Sequence, residues 1–184
     1  MANRWFHRPV LHTPSPGHER RVGWLELFYD LIYVATIIQL GNQLVNGLPE
    51  FGFWKSFLGF AGLFVPIWLS WLGFTFYTNR FVLDDFSHRL LTFGQMFAVG
   101  AMAVNVPAVF QHDYFGFSLA YGACRLTLAL MYYRTYLHLD AAREITGRFA
   151  IGFGVSGALW VISAFVPPPW NYGLWVVAVI NSFV

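Results

Sequence analysis

Two carboxylates lie in one of the most apolar stretches of the sequence, WLELFYDLIYVATIIQL, at residues 24–40. Glu26 and Asp30 are four residues apart, so a helix places both on one face. Two carboxylates this close repel each other unless a cation lies between them or one of them keeps its proton. The pair is therefore a candidate cation or proton site. Carboxylates in the first turns of a helix also cap free amides or anchor arginines, and this structural interpretation stays open.

Arginines would supply the opposite charge. Arg125 lies about ten residues into an apolar run, where a central arginine costs about 2.5–3.5 kcal/mol on insertion scales and needs compensation. Glu26 and Asp30 are candidate partners, although their predicted depth in the membrane is closer to that of Arg89 or Arg134 than to that of Arg125. We interpret Arg125 first as a structural hydrogen-bonding hub and second as a binding group for an anionic substrate.

The segment DDFSHR at residues 84–89 holds a further cluster of polar side chains. Asp84 and His88 are four residues apart, a spacing that a metal ion could use, but a site with two or three ligands is incomplete. Asp84 or Asp85 can instead cap the helix that follows. The GFGVSG segment at residues 152–157 has the spacing of a dinucleotide-binding loop, but it lies inside an apolar run, where glycines serve close helix packing. The sequence therefore predicts no cofactor.

The elements that must position these residues are membrane helices. The sequence is 57% hydrophobic and only 11% charged, whereas soluble domains carry about 25% charged residues. Its apolar runs lack the alternation of barrel strands, and a helix satisfies its own backbone hydrogen bonds in lipid. We predict an all-α fold, a polytopic transmembrane helix bundle of about six spans. The runs lie near residues 24–46, 54–77, 89–110, 115–138 and 148–166, and a sixth begins near Tyr172.

The last of these runs is short. Residues 172–184 would form about 20 Å of helix, against a hydrocarbon core of about 30 Å. We therefore expect the sixth span to be truncated and the chain to be a fragment of a longer protein. Residues 1–22 are polar and proline-rich, and they are predicted to form a tail ahead of a transmembrane domain at residues 23–184.

Basic residues are distributed unequally between the two sides of the predicted bundle. Nine lie in the N-terminal tail or flank connections on its side, and only Lys55 lies on the opposite side. Cytoplasmic loops carry an excess of arginine and lysine, so the N-terminus is predicted to be cytoplasmic. The net charge of +2 does not support nucleic-acid binding, and the expected partners are the lipid bilayer, a small ion or proton, and in a homo-oligomer a second copy of the chain. The nine are Arg4, Arg8, Arg20, Arg21, Arg80, Arg89, Arg134, Arg143 and Arg148.

Three blocks of the sequence combine apolar residues with charged ones in a way that is unusual for membrane spans. They are WLELFYDLIYV at residues 24–34, DDFSHRLLTFGQMFAVGAMAVNVP at residues 84–107, and Arg125 followed by Tyr132, Tyr133 and Arg134. Together they resemble the bacterial low temperature requirement protein A family, over roughly residues 20–184. Tyr33 stands where that family more often has phenylalanine.

The resemblance implies a multi-pass protein of the bacterial inner membrane, about twice as long as this chain, from a family named for a growth requirement in the cold. Glu26, Asp30, His88 and Arg89 match its motif positions and are therefore substrate- or ion-binding candidates. The resemblance implies a location and a motif, but no particular reaction.

Three functional hypotheses follow. In the first, the protein is a transporter or channel-like protein whose Glu26 and Asp30 line a cytoplasmic vestibule, with Arg89, Arg125 or Arg134 as counter-ions. In the second, it is a structural or cold- and stress-response membrane protein whose buried ion pairs hold the bundle together without transport. In the third, which is the least favoured, it is a membrane-embedded enzyme that uses the aspartates and histidine of the DDFSHR segment.

Overall fold

The computed structural model describes residues 10–11, 23–82 and 85–183, and it is helical over almost all of them, so the prediction of a helical fold is confirmed. A two-residue strand β1 (Val10–Leu11) pairs antiparallel with β2 (Phe81–Val82). Short 3-10 helices cover Asp140–Ala142 and Asn181–Phe183. The α-helices are α1 (Trp24–Arg80), α2 (Phe86–Phe110), α3 (Phe115–His138), α4 (Arg143–Ser163) and α5 (Trp170–Ile180).

Helix α1 is two helices joined at Gly52. Its 57 residues would reach about 85 Å if straight, nearly three times the thickness of a hydrocarbon core. At Gly52 the backbone has φ 75° and ψ 169°, a region that is essentially restricted to glycine. The first arm (residues 24–51) and the second arm (residues 53–80) therefore fold back on each other, and the rings of Tyr29 and Phe74 lie 3.8 Å apart between centroids.

The surface of the bundle is apolar, and its interior combines a hydrophobic core with buried polar side chains. On α2, Phe97 is 81% exposed and Val104 is 78% exposed, whereas Gln95, two residues before Phe97, is fully buried. This arrangement suits lipid outside and hydrogen bonding inside. In the described part of the chain, three helical segments are long and apolar enough to cross a membrane: Trp24–Arg80, Phe86–Phe110 and Asp140–Ser163. The larger number of about six spans remains a prediction.

Helices α3 and α4 approach closely where both carry glycine. A Cβ atom added at Gly122 would lie 3.1 Å from the carbonyl oxygen of Gly157, and one added at Gly157 would lie 2.8 Å from the side chain of Leu126. The prediction that glycine of the GFGVSG segment serves helix packing is thus confirmed for Gly157. The contact also fixes α3 next to α4, where Arg125 of α3 meets Phe153 of α4.

Candidate functional site

The two carboxylates of the first arm have different surroundings. Glu26 is half-buried in the first turn of α1, and its Oε2 accepts a hydrogen bond from the backbone N–H of Gly23 at 3.3 Å. Asp30 is exposed, and its Oδ1 accepts a hydrogen bond from the indole N–H of Trp71 at 2.9 Å. Glu26 therefore caps the start of the helix, and Asp30 ties the first arm to the second.

An aspartate outside this pair neutralises Arg134. The Nη1 of Arg134 donates to Oδ1 of Asp85 at 3.0 Å, and Nη2 donates to Oδ2 of the same carboxylate. The Asp85 side chain is 0% exposed and that of Arg134 is 15% exposed. Asp85 is also the N-cap of α2, since its Oδ1 accepts from the backbone N–H of His88 at 3.0 Å, as the sequence predicted for Asp84 or Asp85. One carboxylate thus joins α2 to α3.

The remaining candidates from the DDFSHR segment lie beside this ion pair. The ring of His88 stacks on Tyr77 with 6.1 Å between centroids, and the hydroxyl of Tyr77 donates to the carbonyl of Met131 at 3.2 Å. Arg89 is exposed in the first turns of α2. Asp84 lies outside the described residues, and within them no group of three or more His, Cys, Asp or Glu side chains could hold a metal ion.

Arg125 lies in the protein interior and is 1% exposed. Its Nε donates to the hydroxyl of Tyr121 at 2.9 Å. Its guanidinium carbon is 5.1 Å from the centroid of the Tyr121 ring and 5.2 Å from that of Phe153, and such cation–π contacts offset part of the cost of burial. Nη2 is buried without a hydrogen-bond partner, and within the described residues no salt bridge involves Arg125.

Further buried polar side chains lie on Cys124, which precedes this arginine, and on the neighbouring helices. The amide of Gln95 and residue Cys124 exchange two hydrogen bonds, from Nε2 to the carbonyl oxygen at 2.9 Å and from Sγ to Oε1 at 2.8 Å. The hydroxyls of Tyr33 and Ser70 hydrogen-bond to each other across the two arms. We call this set the interior polar cluster. Its members are Tyr29, Tyr33, Ser70, Gln95, Tyr121, Cys124 and Arg125.

The cluster is rich in donors and contains no carboxylate. Tyr29 is 1% exposed, and the centroid of its ring lies 5.0 Å from that of the Tyr33 ring. A buried cation with a free donor, within a cluster of neutral polar groups, is the arrangement that binds an anion. Except for Arg125, these residues were not predicted from the sequence. The spacing of four residues between Tyr29 and Tyr33, and between Tyr121 and Arg125, is the signal that could have found them.

An apolar exterior, helices long enough to cross a bilayer and a buried polar cluster define an α-helical membrane protein. The chain belongs to the bacterial low temperature requirement A protein family, LtrA, whose model matches residues 21–184. It is 26% identical, over 170 residues, to a Rhizobium meliloti (strain 1021) protein named Uncharacterized protein RA0937. That match covers 90% of this chain and 40% of the relative, so the chain spans less than half of the relative's length. No solved structure matches the chain.

Proposed function

We propose that this chain is the membrane-embedded part of a transport protein for a small anion, and that Arg125 is the group that binds the anion. The observation that carries the proposal is the buried guanidinium of Arg125, which has one Nη without a partner and no carboxylate in contact among the described residues. A buried charge is costly unless it is paired. An anion that enters the cluster and leaves it again would pair with the charge and be carried.

The surroundings of Arg125 support an anion better than a cation. The hydroxyl of Tyr121, which accepts a hydrogen bond from Nε, and the amide of Gln95 add neutral polar groups without a competing negative charge. Transport requires binding that is favourable enough to admit the anion and weak enough to release it, and a single cation with neutral polar neighbours suits both conditions. Glu26 and Asp30, by contrast, lie at the end of the bundle where α1 begins. They remain the proposed site if the transported species is a cation or a proton.

A second candidate function is structural, without transport, in a cold or stress response. It is favoured by the buried bidentate pair of Asp85 with Arg134 and by the hydrogen bond between Asp30 and Trp71, which join neighbouring helical elements. Under this function, Arg125 would be compensated by a carboxylate from another part of the full-length protein, and no solute would move.

Flux measurements on the full-length protein in proteoliposomes test the proposal. We expect proteoliposomes with wild-type protein to release chloride, nitrate or acetate under an imposed membrane potential. In Arg125→Gln the flux should fall at least about tenfold, while the melting temperature stays at the wild-type value. Arg125→Lys keeps the charge but loses the planar guanidinium group with its several N–H donors, so we expect an intermediate flux. The matched control is Arg148→Gln, because Arg148 is an exposed arginine paired with Glu144.

The outcomes separate the two functions. Absence of flux for all three anions in wild type, or flux that survives Arg125→Gln, would contradict anion transport. If wild type shows no flux and Arg125→Gln melts at a much lower temperature, the structural function is supported. Proton or cation flux that is lost in Glu26→Gln/Asp30→Asn, with anion flux absent, would move the transport site to the carboxylates.

A further inference from the structure

A groove of about 540 Å³ lies at the end of the bundle opposite the pair of Asp85 with Arg134. It is bordered by the second arm just after the break at Gly52, by the end of α2, by the connection to α3 and by the start of α5. We call it the Lys55 groove. Its volume is within the range of small-molecule sites, which is about 300–1,000 Å³.

The wall of the groove is apolar and one cation lies at its edge. Leu58, Leu63, Phe110 and Trp175 contribute to the wall. Lys55 is exposed, and in the part of the chain that the structure describes it makes no salt bridge. An unpaired ammonium group beside an apolar channel complements a ligand with an anionic head and an apolar tail.

Hydroxyl and imidazole groups form a second polar edge. Nδ1 of His112 lies 2.8 Å from the hydroxyl oxygen of Tyr114, which also hydrogen-bonds to the hydroxyl of Tyr172. Burial, and then the neighbouring Tyr172, raise the pKa of Tyr114 to about 12, so this hydroxyl stays neutral at physiological pH. His112 has a φ of 66°, in the left-handed region that histidine enters more readily than most residues. The edge therefore adds hydroxyl groups that can hydrogen-bond to a ligand beside the charge of Lys55.

Exposed tryptophans place the groove at the depth of lipid headgroups. Trp54 is 72% exposed beside Lys55, and Trp170 is 76% exposed two residues before Tyr172. Tryptophan is enriched at membrane–water interfaces, where its ring lies level with the headgroups. A ligand in the groove would therefore have its head among headgroups and its tail among acyl chains.

We propose that the Lys55 groove binds an anionic phospholipid of the bilayer, with the phosphate at Lys55 and one acyl chain along the apolar wall. The lipid would bridge the second arm, α2 and α5 at the end of the bundle where those elements meet. This site is separate from the interior polar cluster and does not depend on the transport proposal.

The test is a titration of the purified full-length protein in detergent with dioleoylphosphatidylglycerol, read by native mass spectrometry and by the shift in melting temperature. We expect binding at least about tenfold tighter than that of dioleoylphosphatidylcholine. Lys55→Gln should lose most of this preference and Lys55→Arg should keep it. Arg148→Gln, which removes an exposed charge near the start of α4, should bind like wild type.

A second variant tests the apolar wall without touching the charge. Gly62 lines the groove, and a Cβ atom added there would meet nothing within 4 Å, so Gly62→Leu should place apolar atoms in the groove and weaken binding of the phosphatidylglycerol at least about tenfold. Gly41 has equally open space in the first arm but does not line the groove, and Gly41→Leu is the matched control. Equal affinity for the two lipids, or wild-type affinity in both Lys55→Gln and Gly62→Leu, would overturn the proposal. The proposal would also be overturned if the protein bound inorganic phosphate or oleate and did not bind the phospholipid.

Discussion

Asp85 has two structural roles. Its carboxylate accepts a hydrogen bond from the backbone N–H of His88 at the start of α2, and it pairs with the guanidinium of Arg134 on α3. The carboxylate is fully buried, and the ion pair with Arg134 offsets part of the cost of burying its charge. When one member of a buried ion pair is removed, the other is left as an uncompensated charge. The pair therefore contributes to stability mainly through the cost of breaking it.

We expect Asp85→Asn to destabilise the protein by up to about 3–5 kcal/mol, because the amide can still cap α2 but cannot form the bidentate ion pair with Arg134. Asp85→Ala should cost about 1 kcal/mol more, since the cap is lost as well. The melting temperature in detergent measures both changes. Asp140→Asn is the control, because the side chain of Asp140 is 99% exposed and water screens its pair with Arg143. Equal melting temperatures for Asp85→Asn and Asp140→Asn would contradict a structural role for the buried pair.

Single residues could be predicted from the sequence only in part. Arg125 and Arg134 stood out because charges are rare in apolar runs, and Asp85 because aspartate precedes a helix. The pairing of Asp85 with Arg134 spans 49 residues, and the meeting of Tyr33 with Ser70 spans 37. Such contacts depend on which helices are neighbours, and no local pattern contains that information.

At the scale of helices, the local sequence pattern contains much more information about the fold than it does for single contacts. The apolar runs near residues 89–110 and 115–138 correspond closely to α2 and α3, because apolar length and polar flanks determine where a helix can lie in lipid. The break between the runs at 24–46 and 54–77 corresponds to Gly52 within α1. The composition of NGLPEFG around the break did not identify which glycine takes the positive φ, since either glycine could adopt it.

Gly52 is the position where a small change should damage a whole element. A Cβ atom there would meet nothing within 4 Å, so Gly52→Ala has no steric contact to relieve and its cost is backbone strain alone. At a φ of 75° and a ψ of 169° we expect a loss of about 1–3 kcal/mol, seen as a lower melting temperature. Gly41→Ala, in helical backbone with the same open space, should melt at or above the wild-type temperature. If both variants melted alike, the break at Gly52 would not require glycine.

At the scale of the whole molecule, the two ends of the bundle differ in charge. Arginines lie where the second arm and α3 end and where α2 and α4 begin, and Lys55 lies at the other end beside its groove. The four arginines of the N-terminal tail lie outside the described residues. The predicted cytoplasmic N-terminus follows from this asymmetry, because the arginine-rich end of a membrane protein is normally retained in the cytoplasm.

Labelling of introduced cysteines tests this orientation. The natural Cys124 is 1% exposed and hydrogen-bonded to Gln95, so it should react slowly and give little background. Gln111 and Ala141 are exposed at the two ends of α3, whose 24 residues span about 36 Å. With a membrane-impermeant maleimide on spheroplasts, we expect Gln111→Cys to be labelled at once and Ala141→Cys only after permeabilisation. The reverse result would place the arginine-rich end outside the cell. Labelling of both in intact spheroplasts would show that α3 does not separate the two sides of the membrane.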